Sequence, residues 1–215
     1  HGYIPRMKAA LTALGVDPDR LDIVIMQMVN LVKDGEKYKL SKRSGKAITL
    51  STLLDEIPID AARFFFNLRE PNSHFDFDLD LAVEKSSQNP VYYVQYAHAR
   101  ICSLLTNLKN EGFEAASYDK KELDILDKPQ ETELIRHLAS LPGEIDNAAK
   151  TYDPSRITKY SVELATLFHK FYDACSVKNA ETEQLKKARL ILCRAVLQTL
   201  RNSLAILKID RPEKM

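Results

Sequence analysis

The sequence predicts an α/β part over residues 1–89 followed by an all-α helical bundle over residues 90–215. Three observations carry this expectation. An apolar run rich in Ile, Val and Met, from Leu21 to Val32, follows an amphipathic helix and ends at a turn signal, as a buried strand of an αβ unit does. Phe75-Asp76-Phe77-Asp78 alternates strictly, which suits a half-buried extended segment. Beyond Asn89-Pro90, every long element repeats its apolar residues at helical spacing.

Residues 3–14 read as a helix because Ile4, Met7, Ala10, Leu11 and Leu14 share a face, and Gly15 suits the C′ position. Leu21 to Val32 is too apolar for exposure and reads as a parallel strand with one interrupting amide, Gln27. Asp34-Gly35 marks a turn, and Glu36 to Leu40 returns as a short strand. Lys42 to Lys46 is a polar loop, Ser51 to Glu56 a short helix, and Pro58 opens a second helix over residues 59–69. Pro71-Asn72-Ser73 breaks the chain, and Asp78 caps a helix reaching about Ser86.

In the second part, Val91 to Asn110 carries Val94, Ala97, Ile101, Leu104 and Leu108 and closes at Gly112. Glu131 to Lys150 is helical with a break or kink at Pro142. Asp153-Pro154 starts a helix bearing Leu164, Leu167, Phe168, Phe171 and Cys175, and Glu181 to Leu207 is the last one. Helices that each carry an apolar stripe bury those stripes against one another.

Composition excludes some classes. The net charge is +1, so no global basic field announces nucleic acid. The charge is uneven, however: residues 153–215 hold twelve Lys/Arg against seven Asp/Glu, which leaves room for a local basic surface. No apolar run reads as long enough to span a bilayer, so no membrane partner is expected. The chain opens on His1 without a signal-peptide pattern and reads as a piece of a longer protein. Cys102, Cys175 and Cys193 stand far apart without Cys/His clusters, so free thiols in a reducing cytosol are expected and a protein-bound metal is not.

Two segments concentrate chemistry. Lys39-Leu40-Ser41-Lys42-Arg43-Ser44-Gly45-Lys46 gathers cations around a glycine, a composition suited to polyphosphate oxygens and equally to a solvated basic loop. Tyr93, Tyr96 and Arg100 are spaced i, i+3, i+7 on one helix face. Such a face can stack unpaired bases, or it can be core tyrosine with a surface arginine.

The order of these segments makes the chain resemble the arginyl-tRNA synthetases, a class I aminoacyl-tRNA synthetase family. Lys39 to Gly45 is similar to the class I signature loop Lys-Met-Ser-Lys-Ser, with Leu40 in place of Met and Arg43 in place of the final Ser. Gln95-Tyr96-Ala97-His98-Ala99-Arg100 resembles the motif that opens the family's anticodon-binding domain. Phe168-His169-Lys170-Phe171-Tyr172-Asp173 resembles a later stretch, and His1-Gly2-Tyr3 is similar to a stretch beside the family's ATP site.

The resemblance implies that residues 1–89 are the C-terminal part of a Rossmann-like nucleotide-binding catalytic domain and residues 90–215 an anticodon-binding bundle. Lys42, assisted by Lys39, would stabilise the ATP triphosphate. His1, Gly2, Ser41, Lys42 and Gly45 would line the ATP site, with Mg²⁺ accompanying ATP as substrate. Gln27 would face the arginine substrate, although a buried glutamine bonded to a neighbouring loop reads as well. Tyr93, Tyr96, Arg100, Tyr172 and Met215 would contact the anticodon stem-loop of arginine tRNA. The resemblance further implies a cytoplasmic monomer and arginine–tRNA ligase activity in the parent enzyme. The family's His-x-Gly-His signature is not in this sequence, so the chain alone is expected to be inactive. A stand-alone tRNA-binding module, a cysteinyl or methionyl relative, and a structural helical adaptor are the alternatives.

Overall fold

In a computed structural model of the protein, residues 1–38, 49–114 and 119–215 are described. The lysine loop, with Lys39, Ser41, Lys42 and Gly45, lies outside the described residues.

The first part holds α1 (Tyr3–Ala13), β1 (Val29–Lys33), β2 (Glu36–Lys37), α2 (Leu50–Glu56), α3 (Ile59–Phe66), β3 (Phe75–Asp78) and α4 (Leu79–Val83). The sheet order is β2-β1-β3. β1 and β2 are antiparallel across the Asp34-Gly35 turn, where both residues have positive φ (54° and 74°). Such values are those of a two-residue type I′ hairpin, and Asp-Gly is a preferred pair for it. β1 and β3 run parallel, from Val29 opposite Phe75 to Val32 opposite Asp78, with α2 and α3 in the connection between them. β3 alternates as expected: Phe77 is wholly buried among the rings of Phe65, Phe66 and Phe75.

Several expectations for this part need correction. The helix capped by Asp78 ends at Val83 rather than near Ser86. The strand covers only Val29–Lys33, because residues 21–28 have no neighbouring strand among the described residues. Residues 21–28 are also not buried: Val24, Met26 and Met28 are exposed, as are Tyr3 and Met7 of α1 and Leu14 just after it. Apolarity predicts burial only where a second layer exists to cover it. The helix after Pro58 ends at Phe66 rather than Arg69, closed by Asn67, whose Nδ2 donates to Arg63 O.

The second part is a bundle of α5 (Pro90–Asn110), α6 (Pro129–Thr151), α7 (Ser155–Ala174) and α8 (Glu183–Leu207). The helix boundaries follow local chemistry. Asn89 Oδ1 caps Val91 N with Pro90 at the first helical position, and Thr182 caps Leu185 N. α6 runs through Pro142 without ending, so of the expected break or kink the break does not occur. Its packing on α7 and α8 offsets one missing backbone donor. The buried core runs continuously from Leu53 on α2 to Ile209 past α8.

Contrary to the expectation that no run is long enough, α8 is long and apolar enough to cross a bilayer by length and composition. Most of its large apolar residues face the bundle: Leu192, Val196, Leu200 and Leu204 are buried, as are Ala188 and Cys193. That is the pattern of a core helix.

Candidate nucleic-acid interface

α5 is positioned by Asn89, which is almost wholly buried. Its amide donates to Glu84 O at 2.9 Å and Ala82 O at 3.2 Å, joining α4 to the start of α5. From there Val94, Ala97, Ile101, Leu104 and Leu108 face the core. That register leaves Tyr93, Tyr96 and Arg100 on a second face, turned toward the C-terminal half of α7.

Those residues meet α7 closely. Arg100 Nη1 lies 3.2 Å from His169 Nδ1. Its guanidinium sits 4.0 Å from the centroid of the Tyr172 ring, and its Nη2 is 3.7 Å from Asp173 Oδ1. The His169 ring packs against Tyr93 (centroids 4.9 Å apart) and stacks with Tyr96 (5.9 Å, 25° between planes). Arg100 also sits beside the C-terminus of α7, where unpaired carbonyls favour a cation. Ser87 and Tyr92 complete an open cleft of about 410 Å³ with Tyr93, Tyr96, Arg100, His169 and Asp173.

The electrostatics of the cleft are nearly balanced. Asp173 lies beside the Arg100 charge, so the cleft is aromatic and polar without being strongly basic. Burial, then the neighbouring Arg100 cation, hold the His169 imidazole below its usual range. Tyr96 remains 41% exposed. An exposed aromatic ring beside a held guanidinium can stack planar groups and donate hydrogen bonds to their edges.

A second constellation fixes the C-terminal tail. His98 is fully buried; its Nδ1–H donates to Pro212 O at 2.9 Å, and its Nε2 accepts from Arg201 Nε at 3.1 Å. Gln95 Nε2 donates to Asp60 Oδ2 and to Asp210 O, and Asp210 N donates to the same carboxylate oxygen. By helical spacing Gln95 and His98 lie on the side of α5 away from Tyr96 and Arg100, so the tail and the cleft use different faces. Met215 ends the tail half exposed.

The structure thus brings Tyr93, Tyr96, Arg100 and Tyr172 together. It places Gln27 elsewhere, where its Nε2 donates to Asn72 Oδ1 at 2.8 Å and its backbone N to Pro71 O. His1 and Gly2 are exposed at the start of α1. Sequence reasoning gave no role to His169 or Asp173. A signal existed, because both lie in the Phe168–Asp173 stretch. On α7, His169 is three residues before Tyr172 and four before Asp173, so all three share a face.

Residues 94–215 match the DALR anticodon binding domain family. Over its whole length the chain is 52% identical to the arginine–tRNA ligase of Acetivibrio thermocellus and covers 38% of that protein. A solved structure from Campylobacter jejuni, assigned to the arginyl-tRNA synthetases, aligns with a TM-score of 0.82 at 32% identity, over all of this chain and 46% of that one. The Thermus thermophilus arginyl-tRNA synthetase shares the fold, with a TM-score of 0.77 at 24% identity over 97% of this chain and 38% of that one. The chain spans 38% of the length of the curated relatives it matches. It belongs to the DALR anticodon-binding domain family and corresponds to the C-terminal part of the arginine–tRNA ligases.

Proposed function

We propose that this chain is the tRNA-gripping and ATP-phosphate-handling part of an arginine–tRNA ligase. Residues 90–215 bind the anticodon stem-loop of arginine tRNA, and residues 1–89 complete a Rossmann-like catalytic domain. The observation that carries the reading is the cleft lined by Tyr93, Tyr96 and Arg100 on a DALR domain, with Tyr172 packed on the Arg100 guanidinium. Tyr96 stacks an unpaired base, and Arg100 donates to its edge. With Asp173 balancing its charge, Arg100 suits a base edge better than a phosphate.

In the first part, parallel pairing of β1 and β3 around a helical connection supports a doubly wound sheet. The exposed Val24, Met26 and Met28 supply an apolar face for further layers of that sheet. The Gln27 amide is oriented by Asn72 so that Oε1 remains an acceptor, which suits a guanidinium substrate. Lys42 and Lys39 stabilise the triphosphate of Mg²⁺-ATP, with His1, Gly2, Ser41 and Gly45 beside it. Arginine is activated to an adenylate with release of pyrophosphate, then passed to the tRNA 3′ end. The enzyme works in the cytoplasm as a monomer.

Filter binding of arginine tRNA transcripts with altered anticodons by the purified chain tests the reading. Retention that falls when anticodon bases are changed is expected. Retention indifferent to the anticodon, or none, overturns it. The same chain is expected to catalyse no arginine-dependent ATP–pyrophosphate exchange.

A further inference from the structure

We propose that His169 is a positioning residue for RNA recognition: by accepting a hydrogen bond from Arg100 at Nδ1, it sets the plane of the guanidinium that the RNA meets. The inference rests on the stem-loop reading above and assigns a role to a side chain which that reading does not use.

The geometry fixes the state of the ring. Arg100 can only donate, so His169 Nδ1, 3.2 Å away, is the acceptor and the ring hydrogen sits on Nε2. Nε2 is buried without a partner among the described residues, so nothing there competes for the other tautomer. The ring cannot swing freely, because Tyr93, Tyr96 and Phe168 pack around it with centroids 4.9, 5.9 and 5.5 Å away.

Arg100 has two other anchors of different kind. The Tyr172 ring holds the guanidinium face at 4.0 Å but leaves it free to turn within its plane. Asp173 is 71% exposed at 3.7 Å, so solvent screens it and it fixes orientation weakly. His169 supplies the directional bond in a sheltered place. With one N–H given to His169, Arg100 keeps others of its five donors in a defined fork for a ligand. An arginine already held in its bound orientation loses less side-chain freedom on binding.

The groups facing His169 are Arg100, Tyr93 and Tyr96 from α5, and Tyr172 and Asp173 from its own helix. Burial and Arg100 favour the neutral ring, and Asp173 opposes them. The acceptor is therefore present at neutral pH and is lost only as pH falls below the usual histidine range.

The test uses the 215-residue chain, an anticodon stem-loop RNA, and the variants His169→Leu, His169→Asn, Arg100→Ala and the Arg100→Ala/His169→Leu double. His169→Leu is expected to weaken binding about tenfold at pH 7.5, as loss of a hydrogen bond to a charged group does. His169→Asn keeps an acceptor and stays within about threefold of wild type, without the decline that wild type shows as pH falls below about 6.5. In the Arg100→Ala background, His169→Leu changes affinity less than about twofold, because it acts through Arg100. Wild-type affinity in His169→Leu, or an equal loss in both backgrounds, overturns this inference alone and leaves the stem-loop reading standing. Absence of binding by every form overturns both. The imidazole ¹⁵N spectrum needs no RNA: a neutral ring protonated at Nε2, with an Nδ1 shift that moves in Arg100→Ala, is expected, and a ring protonated at Nδ1 contradicts the proposal.

Discussion

Glu131 Oε1 accepts a hydrogen bond from Arg189 Nε at 2.6 Å, with both side chains buried between α6 and α8. Arg189 Nη1 also donates to Ser176 O, and Glu131 Oε2 accepts from Lys128 N at the start of α6. The pair therefore ties the α6 N-terminus to α8 and to the segment between α7 and α8. Removing either partner leaves the other charge buried and alone. Glu131→Leu or Arg189→Leu is expected to lower unfolding free energy by about 3–5 kcal/mol, and the Glu131→Leu/Arg189→Leu double by less than the two singles added. Urea unfolding followed by circular dichroism checks this; single losses under about 1 kcal/mol would mean the pair is solvated in solution.

His98 makes tail docking sensitive to acid. Burial is the main reason its pKa lies below the usual value, reinforced by Arg201 and Arg211 and opposed by the Pro212 bond and Glu213. A depressed histidine pKa means the unfolded chain takes up the proton first. The stability His98 contributes is thus present above about pH 6.5 and declines as pH falls below it. His98→Leu is expected to speed carboxypeptidase release of Met215 at pH 7.5 and to flatten the acid dependence of that release. Equal rates in both proteins at every pH would remove His98 from the docking of the tail.

The three cysteines should separate by reactivity. Burial pushes the Cys193 thiol up to about 12 and raises Cys175 and the half-buried Cys102 to lesser degrees. Thiolate is the reactive form, so all three are slow, and access decides the order. An aromatic disulfide reagent is expected to modify Cys102 first and Cys193 only with global unfolding. Mass-spectrometric mapping of a time course checks the order, and early labelling of Cys193 would contradict it.

Thr182 caps α8 through Leu185 N at 3.1 Å. Thr182→Ala is expected to lower stability by about 1 kcal/mol, and Thr182→Asp to preserve it. Thermal unfolding of the two variants distinguishes the cap from an incidental contact.

The helical half was legible because each helix carries its own apolar stripe and its own caps. Asn89-Pro90 and Gly112 bound α5 in sequence and in structure, and the Asp34-Gly35 hairpin was equally plain. Residues 21–28 were misread because apolarity reports what a segment prefers, and a strand also needs a neighbour. Thr182 was missed as a cap, since Glu181 continues the helical pattern without a break. In the cleft, the spacing of Tyr93, Tyr96 and Arg100 was visible, but His169 lies 69 residues beyond Arg100 and only packing of α5 on α7 brings the two together. The lysine loop was legible as chemistry alone, and its place in the fold falls outside the described residues.

The most direct measurement is the dissociation constant of the arginine anticodon stem-loop for the wild-type chain, Tyr96→Ala and Arg100→Ala, with helicity monitored in each. Loss of one stacked base contact corresponds to about 1–3 kcal/mol, so Tyr96→Ala should bind roughly 5- to 150-fold more weakly. Arg100→Ala should weaken binding by at least as much as His169→Leu. Its salt dependence should stay close to wild type, because a base-edge contact releases no phosphate counterion. Wild-type affinity in both variants, with their helices intact, would contradict an RNA-binding role for this cleft.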